Sequence, residues 1–137
     1  MTHDDVQAWL DRYVEAWRTY DPEQIGALFA EDVVCYWYPW SAGDDVGRGR
    51  DDVVQGWLAP GGDESARDPL GTYDAEYHPF AVDGQRAVAK GWTRYWTDAS
   101  RATVERTYEN VFLLEFADDG TCRWSTELYM KRPDDPA

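Results

Sequence analysis

Two Asp-Gly pairs, Asp83-Gly84 and Asp119-Gly120, interrupt an otherwise strand-like segment, 72–131. Each is a strong hairpin signal, because both residue types accept the left-handed backbone of tight antiparallel turns. They help divide the second half of the chain into four candidate strands, 72–82, 85–97, 103–117 and 121–131. The third is apolar on both sides: Tyr108, Phe112, Leu114 and Phe116 on one, Val111 and Leu113 on the other. A sheet apolar on both faces must be covered on both.

The first half supplies the helices. Val6, Trp9, Leu10, Tyr13 and Trp17 recur at helical spacing with charged residues between them, which predicts an amphipathic first helix. Asp21-Pro22-Glu23-Gln24 opens a second: Asp caps it, Pro suits its first position, Gln24 can complete a capping box, and Ile25, Leu28 and Phe29 form its buried side. Val33–Tyr38 reads as a strand ended by Pro39, and 41–49 as a loop. A third helix starts at Asp51 or Asp52, turns Val53, Val54, Trp57 and Leu58 inward, and stops at Pro60-Gly61-Gly62-Asp63. Residues 61–70 read as a flexible connector and the tail from Arg132 as frayed. The order implies one α+β domain over 1–137, with three helices against a curved antiparallel sheet.

Composition narrows the function classes. Thirteen basic and 27 acidic residues give a net charge of −14, which argues against nucleic acid and anionic membranes as partners. The longest apolar run, Val33 to Trp40, is too short to span a bilayer, and the N-terminal segment lacks the apolar region of a signal peptide. Cys35 and Cys122 could form one disulfide, but two buried thiols in a reducing cytoplasm are the favoured reading. Eight Trp, nine Tyr and four Phe then require an aromatic core, a ring-lined pocket or a ring-lined interface.

Turn geometry assigns the faces. With Asp83-Gly84 as a two-residue turn, His78 faces Ala89, Glu76 faces Gly91 and Asp74 faces Thr93 on the pocket side, while Tyr73, Ala75 and Tyr77 join Arg94, Trp92 and Lys90 outside. With Asp119-Gly120 as a two-residue turn, Phe112 pairs Glu127 and Asn110 pairs Tyr129; a three-residue turn with a bulge would bring Thr126 beside Phe112 instead. The inner face then gathers Asp74, Glu76, His78, Asn110, Glu127 and Tyr129, joined by Tyr13 and Trp17 from the first helix. Trp57, Phe112 and Tyr36 or Tyr38 supply walls, and Ala87, Ala89, Gly91 and Thr93 leave room. An apolar cleft with a few converging polar groups is the usual form of a small-molecule site.

His78 and Glu127 are the candidate acid/base residues. Imidazole titrates near neutrality, and burial beside rings raises a carboxyl toward it. Tyr13 and Asn110 would hydrogen-bond a developing oxyanion, and Trp17, Tyr38, Trp57, Glu76, Phe112 and Tyr129 would contact the ligand. Each has a structural alternative: backbone satisfaction for His78, solvation for Glu76 and Asp74, core packing for Tyr13 and Trp17, and an outward turn for Glu127 if its hairpin slips. His78 and Glu76 lack a third ligand at metal spacing, and no phosphate loop, serine elbow or catalytic-cysteine signature is present, so neither metal nor cofactor is expected. The outer side, with Trp92, Trp96, Trp124, Leu128 and Met130, needs covering by a second copy of the chain or by its own loops.

The segment from Arg12 to Asp32, RYVEAWRTYDPEQIGALFAED, resembles the nuclear transport factor 2-like superfamily: a first helix, an Asp before the second, and LFA-acid-Asp leading into the first strand. GRDDVVQGW, Gly49 to Trp57, resembles the family's opening of the third helix. The superfamily includes SnoaL-like polyketide cyclases, ketosteroid isomerase, scytalone dehydratase and limonene epoxide hydrolase. The resemblance implies a cone whose curved sheet wraps the long first helix, a ligand pocket inside it, and dimerisation through the outer sheet face. It carries over few catalytic residues. Tyr13 stands at the spacing of the isomerase's oxyanion tyrosine, but the isomerase's base falls near Tyr38 and its oxyanion-hole acid at Phe112 or Asn110. The dehydratase needs two pocket histidines, and the hydrolase an Asp-Arg-Asp set of which Glu127 approaches one position. The implied function is cofactor-independent proton transfer on a small, largely apolar or aromatic molecule: isomerisation, cyclisation, dehydration or epoxide opening. The alternative is a non-catalytic ligand-binding or dimeric accessory protein.

Overall fold

Thr2 starts the first helix by a reciprocal cap: its hydroxyl accepts from Asp5 N at 3.1 Å, and the Asp5 carboxylate accepts from Thr2 N at 2.9 Å. In the computed structural model, which describes residues 1–133, this helix (α1, His3–Thr19) turns Val6, Trp9, Leu10 and Val14 into the core. Asp21 caps α2 (Pro22–Gly26), accepting from Glu23 N and Gln24 N. The Gln24 side chain instead accepts from the Thr19 hydroxyl, so no capping box forms there. The first strand starts earlier than expected: β1 is Phe29–Tyr36, and Phe29 belongs to the sheet rather than to α2. Part of the expected loop is also a strand, β2 (Val46–Arg48), before α3 (Arg50–Leu58).

The four long strands follow close to their expected limits: β3 Tyr73–Asp83, β4 Arg86–Trp96, β5 Val104–Phe116 and β6 Cys122–Lys131. The six-stranded sheet runs in the order β2-β1-β6-β5-β4-β3. Its pairs are antiparallel except β1 with β6, which are parallel. The sheet curves around α1, and the core fills the space between them. Trp9 is fully buried there, with its indole N–H donating to Leu28 O at 2.9 Å and its ring edge-on to Phe116. Truncating such a ring to Ala costs about 3–5 kcal/mol.

The two hairpins depart from their expected geometry in opposite ways. In the first, the turn residues are Gly84-Gln85, with Gly84 at φ 61 supplying the left-handed first position and Asp83 facing Arg86. That change alone would have kept His78 inward. A bulge between Pro79 and Ala81 then shifts the ladder by one residue, so Tyr77 rather than His78 faces Gly91. Proline has no N–H to give the ladder, which favours an irregularity there. Below the bulge every side chain changes face. Tyr73, Ala75 and Tyr77 are buried inside; Asp74, Glu76 and His78 point away from the pocket side they were expected to occupy. Gly91 makes the close strand approach possible, since a Cβ there would lie 1.8 Å from Glu76 O.

In the second hairpin the loop has three residues, with Gly120 left-handed at φ 85, but a bulge on β6 between the partners of Glu115 and Phe116 offsets it. Phe112 therefore meets Glu127 and Asn110 meets Tyr129, as expected. At the chain's end Arg132 is tied down: its N–H donates to Thr107 O at 2.8 Å and its side chain to Glu109. Residues 134–137 of the expected frayed tail lie outside the described residues.

On the outer face Val111, Leu113, Leu128 and Met130 are exposed. Trp92 and Trp96 are partly covered from within the chain, by the guanidinium groups of Arg94 and Arg101. Trp124 packs near Tyr36, with ring centres 6.1 Å apart. No helix among the described residues is long and apolar enough to cross a membrane.

Candidate functional site

The concave side of the sheet and the C-terminal half of α1 enclose a cavity of about 410 Å³. Helix α1 sends in Tyr13 and Trp17, α3 sends in Trp57, and the segment after β1 contributes Trp37 and Tyr38. The sheet completes the wall with Tyr77, Tyr95, Tyr108 and Tyr129. These rings pack edge to face: Tyr13 lies 4.9 Å from Trp57 and 5.6 Å from Phe112, and Phe112 lies 4.8 Å from Tyr77. Phe112 sits behind this first layer and lines a smaller void beside Tyr13 and Glu127. Gly56 belongs to the wall by lacking a side chain, since a Cβ there would lie 2.7 Å from the Trp37 ring.

Glu127 reaches into this cavity from β6. It keeps some accessible surface, but that surface opens onto the ring-lined cavity. Desolvation pushes its carboxyl up to about 7, against the lowering effect of a hydrogen bond from Asn110. Asn110 Nδ2 donates to Glu127 Oε2 at 2.9 Å, while Asn110 Oδ1 accepts from the Thr93 hydroxyl at 2.8 Å. Thr93 Oγ1 is in turn 2.5 Å from the Tyr77 hydroxyl. The Tyr13 hydroxyl makes no hydrogen bond among the described residues. Burial, then the charge of Glu127, raises its pKa well above the usual phenol range, so Tyr13 is a neutral donor. A carboxyl titrating near neutrality and an unpaired phenol sharing one ring-lined cavity are suited to moving a proton and holding the charge it leaves.

A second carboxylate stands at the cavity's edge. The Tyr20 hydroxyl accepts from Trp17 Nε1 at 3.1 Å and from Asp68 N at 3.3 Å. Burial raises the Asp68 carboxyl, and the positive charge of Arg106 works against that rise. The Arg106 guanidinium lies 3.9 Å from the centre of the Tyr95 ring. Among the described residues, no group of three His, Cys, Asp or Glu side chains converges in a way that would hold a metal ion.

Of the residues expected at the site, the structure brings Tyr13, Trp17, Tyr38, Trp57, Asn110, Glu127 and Tyr129 to the main cavity, with Phe112 behind them. His78 and Glu76 are corrected: both are exposed, outside the cavity, where His78 Nε2 pairs with Glu76 at 2.8 Å and Nδ1 with Gln7 Oε1 at 2.8 Å. Asp74 likewise lies outside, paired with Arg18 and Arg101. The same bulge explains why Tyr77 was expected outside and is in the wall. Tyr36, the alternative to Tyr38, faces the outer side against Trp124. Tyr95 and Tyr108 could have been found by continuing the inward alternation past Thr93 and Asn110. Asp68, in the segment read as a connector, gave no signal in its sequence surroundings. The two cysteines are free buried thiols.

The SnoaL-like domain family model matches residues 10–124. No curated protein matches the sequence. Several solved structures share the fold. An NTF2-like protein of unknown function from Burkholderia xenovorans is 15% identical, with a TM-score of 0.66, and the match covers 98% of this chain and 89% of that one. A provisionally assigned ketosteroid isomerase from Kribbella flavida is 18% identical, with a TM-score of 0.60 and coverage of 98% and 84%. An NTF2-like protein of unknown function from Mesorhizobium loti is 24% identical, with a TM-score of 0.60 and coverage of 93% of each chain. At these identities the likeness is one of fold.

Proposed function

Since this chain belongs to the SnoaL-like domain family, we propose that it is a cofactor-independent acid/base enzyme acting on a small, largely apolar or aromatic molecule bound in the cone. The observation that carries this reading is Glu127, a carboxyl raised to about 7 by its burial in a ring-lined cavity. As carboxylate it removes a proton from a substrate atom made acidic by a neighbouring carbonyl. Tyr13 donates a hydrogen bond to the oxygen that gains charge. Glu127, now protonated, returns the proton to a second atom, and the substrate leaves rearranged with nothing consumed. Isomerisation is the simplest such cycle; ring closure, dehydration or epoxide opening would use the same two groups. Asn110 holds Glu127 through one N–H and accepts from Thr93 at its oxygen, which leaves its second N–H to meet a ligand oxygen. Trp17, Tyr38, Trp57 and Tyr129 supply apolar contact, with Phe112 supporting them.

The protein works as a single domain over 1–137, as a homodimer through the outer sheet face, and in the cytoplasm. The exposed apolar strip on β5 and β6 supports the dimer, and the two free thiols support a reducing compartment.

A second reading has an observation in its favour. Much of the polar lining pairs with itself, as Tyr77-Thr93-Asn110-Glu127 and Trp17-Tyr20-Asp68 show. That suits a carrier or accessory protein which binds an aromatic ligand without changing it.

Solvent deuterium exchange separates the two. Aromatic and polycyclic ketones that quench the cavity's tryptophan fluorescence are incubated in D2O and examined by mass spectrometry. Enzyme-dependent deuterium uptake or rearrangement, lost in Glu127→Gln, is expected. Saturable binding without uptake for every bound ketone would leave the carrier reading standing.

A further inference from the structure

Four side chains form one continuous hydrogen-bonded chain in the cavity wall: Tyr77 on β3, Thr93 on β4, Asn110 on β5 and Glu127 on β6. Tyr77, Thr93 and Asn110 are each 4% exposed, so their polar groups depend on partners within the protein. Each strand of the antiparallel meander contributes one member. The chain exists because the bulge at Pro79–Ala81 brings Tyr77 opposite Gly91, on the same face as Thr93.

Counting hydrogens gives the chain a direction. Thr93 has one hydroxyl hydrogen, and it goes to Asn110 Oδ1. The 2.5 Å contact with Tyr77 is then made by the tyrosine hydrogen. Asn110, with its oxygen held by Thr93, has an N–H group to present to Glu127 Oε2. Reversing the chain would turn the Asn110 oxygen toward Glu127 and leave the Tyr77 hydrogen without an acceptor among the described residues. The forward direction gives both hydroxyl hydrogens an acceptor and ends on the carboxylate, which can accept but not donate.

We propose that Thr93 and Tyr77 are positioning residues that hold the Asn110 amide with its N–H toward Glu127, so that the ionised form of Glu127 is favoured over the neutral one. The inference rests on the reading of Glu127 as the proton-transferring group for its functional meaning, but not for its test. Thr93 is the decisive member. Without its hydroxyl, the two orientations of the Asn110 amide leave equal numbers of groups unpaired, and the preference for ionised Glu127 is lost. Without the Tyr77 hydroxyl, Thr93 still donates to Asn110 and the direction survives.

The titratable and charged groups facing Glu127 are fixed in this comparison. They are Tyr13 from α1, Cys35 from β1, Tyr77 from β3 and Tyr95 from β4, together with Arg106 and Tyr108 from β5, Tyr129 on β6 and Asp68 at the cavity's edge. Thr93→Val removes none of them, and Tyr77, the one that loses a hydrogen-bond partner, is controlled by Tyr77→Phe.

The test is a carboxyl-carbon NMR titration of the full chain labelled at glutamate, with the Glu127 signal assigned from Glu127→Gln. In the wild type the Asn110 side-chain amide protons are expected to shift with the same midpoint as Glu127. Thr93→Val is expected to raise that midpoint by about one pH unit, the size of one hydrogen bond to a carboxylate. Thr93→Ser and Tyr77→Phe are expected to stay within about 0.3 unit of wild type. If Thr93→Val does not fold, Thr93→Ala carries the same expectation. The proposal is overturned if Thr93→Val or Thr93→Ala titrates like wild type. It is equally overturned if Thr93→Ser shifts as far as Thr93→Val, or if the Asn110 amide of the wild type ignores the Glu127 titration. A merely structural role for Thr93 would lower the melting temperature without moving the midpoint. Failure of the deuterium-exchange experiment would remove the enzyme reading and leave this titration unaffected.

Discussion

Asn110 Nδ2 and Glu127 Oε2 are 2.9 Å apart on the same face of the β5–β6 ladder, and this is the one hydrogen bond the Glu127 side chain makes among the described residues. One donor is too little to offset the loss of water around a carboxylate in a ring-lined cavity, so desolvation prevails and the carboxyl rises from 4.5 to about 7. The sign of the stability effect follows. A carboxyl raised in the folded state favours folding fully while protonated, below about pH 4.5, and that advantage is lost as the pH rises toward 7. Glu127→Gln keeps the neutral state at every pH. It should match wild type near pH 4 and exceed it by about 1–3 kcal/mol near pH 8. Urea unfolding at the two pH values measures this, and a difference that does not change with pH contradicts it.

Gly56 and Trp37 pack so closely that a methyl group at position 56 would sit 2.7 Å from the indole ring. The contact is with side-chain atoms, so the ring can move, and both residues line the cavity. Gly56→Ala should therefore destabilise the protein by about 1–3 kcal/mol and weaken binding of any cavity ligand. Thermal unfolding and fluorescence titration with the same ligand check both parts. Loss of stability with unchanged affinity would show that Trp37 yields away from the cavity instead.

The residues that position the site were legible to different depths. Helical spacing in α1 was enough to aim Tyr13 and Trp17, because a 17-residue helix fixes its own period. Glu127 was placed correctly because two irregularities in its hairpin offset each other, a three-residue turn and a bulge on β6. His78 was misplaced because one uncompensated bulge, beside Pro79, exchanged the faces of everything below it on β3. Alternation has a period of two, so a single extra residue reverses a strand while leaving its composition unchanged. Asp68 had no pattern to read, since it stands in irregular chain and reaches the cavity through tertiary contacts.

His78, expected at the site, instead pairs with Glu76 and Gln7 on the protein's surface. Exposed polar pairs of this kind contribute little, typically under about 1 kcal/mol. His78→Ala should change stability by no more than about 0.5 kcal/mol and leave ligand affinity and any deuterium exchange as in wild type. A large loss of exchange in His78→Ala, with binding intact, would contradict the position given to it by the Pro79 bulge.

The outer face of the sheet tests the oligomeric state. Val111 and Leu128 are cross-strand partners, and both are exposed, as are neighbouring Leu113 and Met130. A second apolar feature adjoins them, a groove of about 470 Å³ bordered by Val88, Leu113 and Trp124. A second copy would bury both, since a twofold axis lays one sheet face on its equivalent. Opposing this, each copy carries a net charge of −14, so the two repel at low ionic strength. Sedimentation should therefore show a dimer whose stability increases as salt rises toward about 0.15 M and screening takes effect. Leu128→Glu, which places a charge at the centre of the strip, should leave a folded monomer. A wild-type chain that sediments as a monomer at every salt concentration would rule out the homodimer.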